Sequence, residues 1–362
     1  MTATLRTRTL LSGAIALVLL PLAHASDLST AYRQAVERDP QLKVAAANRD
    51  AAQEGIQLAR ARLLPQINGS AEFSRSNSEA QRTQPFQDGT SFVIRQVPLE
   101  TETDGRSYNL QLSQTLYDHA NYTQLNAARA SAARAEAQYQ AALQQLAVRV
   151  AEAYFAMLTA EDSVRFARAD EKAVTRQLEQ AEQRFNVGLT AITDVHEARA
   201  RRDSATAAAI LAENALDDAR EALAEITGSF VEAVNPLRED IPLEPPSPNV
   251  WQDWVKRAME GNPELQAALL ASEAADFQIQ TARAGHYPTL SAFASYTDSE
   301  DDSDTTILGS VTSNNSPFTN DTIGIRLSVP IFSGFSVSSR VRQSVAEHQA
   351  SLDQQEQTRR TV

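Results

Sequence analysis

The chain has 362 residues, a formal net charge of −13 and no cysteine. The acidity argues against nucleic acid as a partner, because phosphate backbones are met by clustered Lys and Arg. Without cysteine there is neither a disulfide framework nor a thiolate metal site. Beyond Ala25 no segment approaches the roughly 18 consecutive apolar residues that a membrane-spanning helix needs. A membrane role would have to be carried by β-strands closed into a barrel.

Residues 1–25 read as a secretory signal peptide. Arg6 and Arg8 precede an apolar run from Leu10 to Leu22, and Ala23-His24-Ala25 supplies a small-residue cleavage site. The mature chain is then expected to begin near Ser26, beyond the inner membrane, with 31 basic against 46 acidic residues. A buried N-terminal helix is the alternative reading of the same run.

After a helical start broken at Asp39-Pro40, residues 66–74 alternate: Ile67, Gly69, Ala71 and Phe73 oppose Asn68, Ser70, Glu72 and Ser74. Residues 108–113 alternate likewise, with Tyr108, Leu110 and Leu112 on the apolar side. Strands are expected over about 66–76 and 107–117, joined by a polar loop at 75–106. Residues 120–185 then hold no Gly or Pro and are dominated by strong helix formers, which predicts one helix roughly 100 Å long. Leu143, Val150, Met157 and Val164 recur every seven residues, beside Leu146, Ala153, Ala160 and Ala167. This is a coiled-coil seam rich in small side chains. Gly188 is the only glycine between Gly105 and Gly228, and it marks a helical hairpin tip at 186–190. The returning helix, 191–226, stops at Thr227-Gly228. Five prolines fall within 235–248, and a linker is expected over 229–249.

Residues 250–285 return to helix, interrupted at Gly261-Asn262-Pro263. Strands follow over about 289–298 and 322–332: Leu290, Ala292, Ala294 and Tyr296 share one face, although Phe293 breaks the other. Ile323, Ile325, Leu327, Val329 and Ile331 oppose Thr322, Gly324, Arg326 and Ser328. The stretch between, 298–320, reads as a solvated loop, and its acidic run from Asp298 to Asp304 fits no calcium-loop spacing. One apolar and one polar face suits a lipid-exposed, water-lined barrel, and equally a half-buried soluble sheet.

The chain is built twice. Asp39-Pro40-Gln41-Leu42 is answered by Asn262-Pro263-Glu264-Leu265, and the interval from Pro40 to Pro65 equals that from Pro263 to Pro288. Leu112-Ser113 is answered by Leu327-Ser328 at an offset of 215 instead of 223, which places the loss of eight residues in a loop. The expected division is a first repeat over 26–228 and an incomplete second repeat over 250–362. Known membrane barrels need about eight strands or more, so four per chain demand an oligomer without choosing its order.

The stretch Arg176-Gln177-Leu178-Glu179-Gln180, then Gln183 to Leu189, then Ala191-Ile192-Thr193-Asp194-Val195, resembles the TolC family of outer-membrane channels. The duplicated helix–Pro–strand units and Leu327 to Phe332 resemble the same family, over the mature chain from about Leu28. The resemblance implies a mainly α fold with a β-barrel portion, in a homotrimer. Long coiled-coil helices would form a periplasmic tunnel that continues into a shared twelve-stranded barrel, four strands per chain, in outer-membrane lipid. It implies passive conduction of drugs or secreted proteins, with no cofactor, metal or catalysis. The implied partners are a periplasmic adaptor and an inner-membrane transporter of RND or ABC type. Val187, Gly188 and Leu189 match the family's adaptor-docking tip, and Gln177, Thr193 and Asp194 its periplasmic-entrance gating network. The bland reading of Asp194 is a surface carboxylate favoured by a helix N-terminus.

An enzyme is a poor alternative: His119, His196, His286 and His348 are isolated, and no metal-binding or nucleophile-elbow motif is present. A non-conducting coiled-coil strut or surface adhesin shares the helices but leaves four amphipathic strands unexplained. Copy one continues from Tyr117 through a long hairpin to Gly228, whereas copy two runs only from Phe332 to Val362 after its last strand. The resemblance therefore predicts a native polypeptide longer by a second long hairpin, its tip and a closing helix. The pore-constricting aspartates of the family's second tip have no counterpart to name here. The intact mass of the protein extracted from outer membranes checks this expectation. A value well above 39.5 kDa meets it, and one matching Ser26 to Val362 refutes it.

Overall fold

The computed structural model describes residues 27–237 and 245–362. The expected signal peptide and part of the expected linker lie outside the described residues. The chain divides into two compact units, the first of Met1–Lys43 with Leu143–Glu244 and the second of Val44–Ala142 with Pro245–Val362.

The first unit is helical. Helix α1 (Leu28–Arg38) is capped by Asp27, whose carboxylate accepts from the Thr30 N–H at 2.6 Å. Asp39 separates α1 from α2 (Pro40–Ala61) and satisfies both helix ends at once. Its N–H donates to the Ala35 carbonyl at 2.8 Å, and its Oδ2 accepts the Leu42 N–H at 2.8 Å. Proline at the first helical position costs nothing there, because that N–H has no intrahelical partner. Asp39 is nearly fully buried and is held by Arg149 of α3 (His119–Asn186), with Nη2 to Oδ2 at 2.8 Å and Nη1 to Oδ1 at 3.3 Å.

Helix α3 runs 68 residues, and α4 (Ile192–Thr227) returns beside it. On α3 the heptad residues Leu146, Val150 and Met157 are fully buried. On α4, Val195, Ala209, Leu216 and Leu223 continue a seven-residue spacing, with Ala205 beside them. Ala31 and Ala35 of α1 are completely buried, and their size lets α1 lie close to α4. Gly228 ends α4 in the left-handed region (φ 65°), where a Cβ would also come within 3.1 Å of the Arg38 Cβ.

The second unit holds a four-stranded antiparallel sheet in chain order: β1 (Gln66–Asp88), β2 (Ser91–Tyr117), β3 (Thr289–Ile307) and β4 (Ser310–Ser328). Among the described residues, the outer edges of β1 and β4 have no strand beside them. Helices α5 (Trp251–Gly261) and α6 (Pro263–Ala284) precede β3, and α7 (Ser336–Thr361) follows β4. Helices α6 and α7 lie side by side, joined by the Ser272 hydroxyl donating to Gln355 Oε1 at 3.1 Å. The Thr123 and Thr281 hydroxyls tie α3 to α6 at 2.7 Å.

The duplication is visible in the elements. Helices α1 and α5 both have 11 residues, and α2 and α6 both have 22. Asn262 repeats the geometry of Asp39: its N–H donates to Ala258 at 2.9 Å and its Oδ1 accepts from Glu264 and Leu265 at 2.8 and 3.0 Å.

Two expectations are corrected. The stretches 75–106 and 298–320 are not loops; they are paired strand, continuous from Gln66↔Ser113 to Asp88↔Ser91 and from Thr289↔Ser328 to Ile307↔Ser310. The few apolar residues there, such as Phe92, Val93 and Ile94, follow no sustained period of two, so alternation carries no signal, while the backbone ladder continues. Only two-residue turns remain: Gly89-Thr90, with Gly89 at φ 65°, and Leu308-Gly309, both at positive φ. The last strand ends at Ser328 instead of near 332, because Pro330 has no N–H to extend a ladder.

Asp39 and Asn262 cap equivalent helices, but Asp39 also neutralises a cation. Replacing Asn262 by Ala should cost about 1 kcal/mol, the loss of a cap. Asp39→Ala should cost roughly 3 kcal/mol, because Arg149 is left without its carboxylate. Chemical denaturation of the two variants, followed by helical circular dichroism, measures the difference.

Candidate functional site

The sheet has two chemically distinct faces through its helix-proximal half. On one face, the register aligns Ile67, Leu112, Ala294 and Ile323 in a single row across all four strands. Most of that face is open: Ile323 is 87% exposed, Ile325 69% and Leu110 52%. The opposite face carries Asn68, Ser70, Asn109, Gln111, Ser295, Thr297 and Thr322, with Asn109 Nδ2 donating to Thr297 Oγ1 at 2.9 Å.

The apolar band has an oblique upper limit. Phe73 pairs with Arg106, Ala71 with Tyr108, Leu110 with Tyr296, and Ala294 with Ile323. The continuous apolar run on each strand thus ends at Phe73, Tyr108, Tyr296 and Ile323, each one row below its predecessor. Two residues further on the same face come Arg75, Arg106, Asp298 and Asp321, all charged. The limit drops about 6.6 Å along the strand for each ~4.8 Å step between strands, so the strands cross the band at a tilt. Three of the four limiting residues are aromatic, and Phe73 meets Tyr108 edge to face with centroids 5.9 Å apart. A tilted apolar band, ending in aromatic rings and then charge, is what a lipid-facing barrel wall requires.

The acidic run from Asp298 to Asp304 lies on β3, so its even-numbered members share the face of the apolar band, beyond that limit. Arg106 bonds Glu300, Arg75 bonds Asp104 at 2.6 Å, and Asn315 donates to Glu300 and Asp302 at 2.6 Å. Among the described residues no group of three or more His, Asp or Glu could hold a metal ion, and no helix is long and apolar enough to cross a membrane.

The helical hairpin is a separate feature of the first unit. Leu189 N–H donates to the Arg184 carbonyl at 2.8 Å and Gly188 N–H to the Phe185 carbonyl at 2.9 Å, closing α3 in a tight turn with Gly188 at φ 77°. That left-handed conformation suits glycine, since a Cβ would be strained there. Val187 is 69% exposed and Leu189 78%. An apolar pair this open buries little surface within the chain.

Asp194 sits in the first turn of α4 and accepts a hydrogen bond from the Thr190 hydroxyl. Gln177 and Thr193 are exposed. The helix register is set by Arg199 bonding Glu182 at 3.1 Å and by Arg168 bonding Glu213. It places Gln177 opposite residue 204, about 15 Å along the hairpin from Asp194. Among the described residues no hydrogen bond joins Gln177 to Thr193 or Asp194 within this chain. Arg168 also bonds Glu171 at 2.8 Å. This bond, followed by the Thr206 hydroxyl, holds the Glu171 carboxyl below the usual glutamate range.

Sequence reasoning missed the stack formed by Phe293, Gly324 and Arg326. A Cβ on Gly324 would come within 2.8 Å of the Phe293 ring, and the Arg326 guanidinium carbon lies 4.8 Å from the ring centroid. The irregularity of Phe293 in the alternation was its one visible trace.

These features define an outer-membrane channel subunit that couples barrel strands to long helices. The family model for outer membrane efflux protein matches residues 31–229 and 254–362. The chain is 35% identical over 338 residues to outer membrane protein TolC of Vibrio cholerae, covering 93% of this chain and 72% of that protein. It is 31% identical over 343 residues to the alkaline protease secretion protein AprF of Pseudomonas aeruginosa, covering 94% of this chain and 68% of that protein. The solved CmeC outer membrane channel of Campylobacter jejuni superimposes with a TM-score of 0.67 at 18% identity, covering 92% of this chain and 68% of that one. The chain belongs to the outer membrane efflux protein family, and its fold is that of the TolC-like channels. That family is one of transport channels, not of enzymes, and its place is the outer membrane and periplasm of Gram-negative bacteria.

The Glu171 carboxyl, lowered in the folded hairpin, adds stability above its unfolded pKa that is lost as pH falls through its folded one. Arg168→Ala should weaken this acid sensitivity and raise the Glu171 pKa toward the ordinary range, with the Thr206 hydroxyl keeping part of the shift. Side-chain carboxyl NMR titration of wild type and variant reads both.

Proposed function

We propose that this chain supplies one subunit's share of a passive conduit through the outer membrane. The observation that carries the reading is the sheet: an exposed, obliquely bounded apolar face, a polar face behind it, and two unpaired outer edges. Backbone groups on those edges cannot be left in lipid, so β4 of one copy pairs with β1 of the next. Three copies would close twelve strands around a lumen, whereas the eight of a dimer leave an interior nearly filled by side chains. The polar face then lines the water path. The unit built twice, over 26–228 and 250–362 with 229–249 between, supports an architecture of repeated turns about one axis. The equal lengths of α1 and α5, and of α2 and α6, support it further.

In this reading the hairpin reaches into the periplasm, and Val187, Gly188 and Leu189 dock an adaptor bridging to an inner-membrane transporter of RND or ABC type. The exposed apolar pair on a rigid turn is the feature that supports docking. Gln177, Thr193 and Asp194 gate the entrance through bonds between chains, since the intrachain register keeps Gln177 away from the other two. The conduit needs no cofactor and catalyses no reaction; transport energy comes from the inner-membrane partner. Drugs and secreted proteins are the cargo classes of this reading; the second is supported by the name of the protease secretion relative.

Leu189→Asp places a charge where the docking surface is apolar. The variant should assemble in the outer membrane at wild-type levels and conduct ions in planar bilayers, yet lose most export and most adaptor cross-linking in cells. Unchanged export would overturn the docking role of the tip. Absence of conductance from the wild-type protein would overturn the conduit.

A further inference from the structure

Within the apolar band, the opposite face of the sheet is almost free of charge. Behind Tyr108 to Leu112, β2 presents Asn109 and Gln111. Behind Leu290 to Tyr296, β3 presents Ser291, Phe293 and Ser295. Two ionisable residues break this neutrality. Glu72 lies near the upper limit on β1, and Arg326 on β4 lies between Ile325 and Leu327, toward the helices.

An arginine at membrane depth must find water or a partner. The guanidinium of Arg326 rests on Phe293, the one large apolar residue on that face, 4.8 Å from the ring centroid. The tip of the Phe293 ring in turn covers Gly324, its register partner, where even a methyl group would come within 2.8 Å. Glycine, ring and guanidinium form a stack running along the strand. The ring restrains a long, flexible side chain without neutralising it, because a π-face attracts a cation but carries no net charge. A positive group is thereby fixed on an otherwise neutral wall. That explains why an aromatic residue interrupts the polar face at this row, and why the residue beside it has no side chain.

We propose that Arg326, held by Phe293 over Gly324, is a charge-selecting element of the lumen that concentrates small anions at the helix-proximal end of the barrel. The inference rests on the polar face lining the lumen. In a barrel of identical chains the residue recurs once per chain, giving a ring of fixed positive charge, and Glu72 gives a negative ring nearer the outer mouth. A ring of one sign sets the local ion concentration where the wall beside it is neutral, and the Glu72 ring lies several rows away.

The test is local, so that constrictions elsewhere in the conduit do not mask it. The sequence contains no cysteine, so Ser328→Cys, two residues from Arg326 on the same face, supplies a reporter thiol. Its rates of modification by an anionic and a cationic methanethiosulfonate are compared in outer-membrane preparations of the native protein at low salt. The rate ratio should favour the anionic reagent and fall several-fold on adding Arg326→Gln. Arg326→Lys should retain most of the preference, and Phe293→Leu, which keeps the charge but frees it, should retain only part. A ratio unmoved by Arg326→Gln overturns the inference while leaving the conduit standing. If instead Ile323→Cys on the apolar face reacts readily and Ser328→Cys does not, the assignment of faces fails, and the conduit and this inference fall together.

Discussion

Everything in the sheet follows from the obligation to satisfy backbone hydrogen bonds where water is absent. Four antiparallel strands satisfy one another internally, but among the described residues β1 and β4 each leave an outer edge unpaired. In water such an edge invites aggregation; in lipid it costs several kcal/mol for each orphaned group. Side-chain pattern alone would allow a half-buried soluble sheet. The oblique limit of the apolar band removes that ambiguity. A soluble core has no reason to end in Phe73, Tyr108 and Tyr296, stepping down one row per strand and followed at once by charge. A planar interface crossed by tilted strands has that reason.

The helical part answers a different problem, which is how to stop one helix and start the next at a single residue. The solution appears twice, as Asp39-Pro40 and Asn262-Pro263, each residue ending one helix with its N–H and starting the next with its side chain. The two copies have diverged in charge. Asp39 is buried and paired with Arg149, whereas Asn262 is neutral and caps alone. A buried ion pair adds little net stability, but it makes the two partners depend on each other and fixes where α1 and α3 meet.

The polar face shows how glycine makes room for larger neighbours in a pleated wall. Gly324 accommodates the Phe293 ring, and Gly105 lies where a Cβ would come within 2.8 Å of Asp301 Oδ1 and 2.9 Å of Ser74 Oγ. In both places a strand gives up its side chain and an adjacent strand's side chain covers the gap. The cost in strand propensity is offset by a group held in a defined position over the water path.

Much of this was legible in the residues. Alternation at 66–74 and 322–328 reported the two faces, because a period of two maps directly onto the two sides of a strand. The Gly- and Pro-free run of 120–185 reported the long helix, and the positive φ at Gly188 lies where the lone glycine had placed the turn. The hairpin arms beyond the band were not legible. Their few apolar residues, among them Phe92, Val93 and Ile94, fall in no sustained period of two, so the pattern does not distinguish a paired strand from a loop. Nor were the contacts that join distant segments: Arg149 with Asp39, far apart in the chain, or the row from Ile67 through Ala294. Periodicity is a property of neighbouring residues and determines which face each element shows. Register and side-chain partnership arise only when elements meet, and those were decided by the tertiary structure.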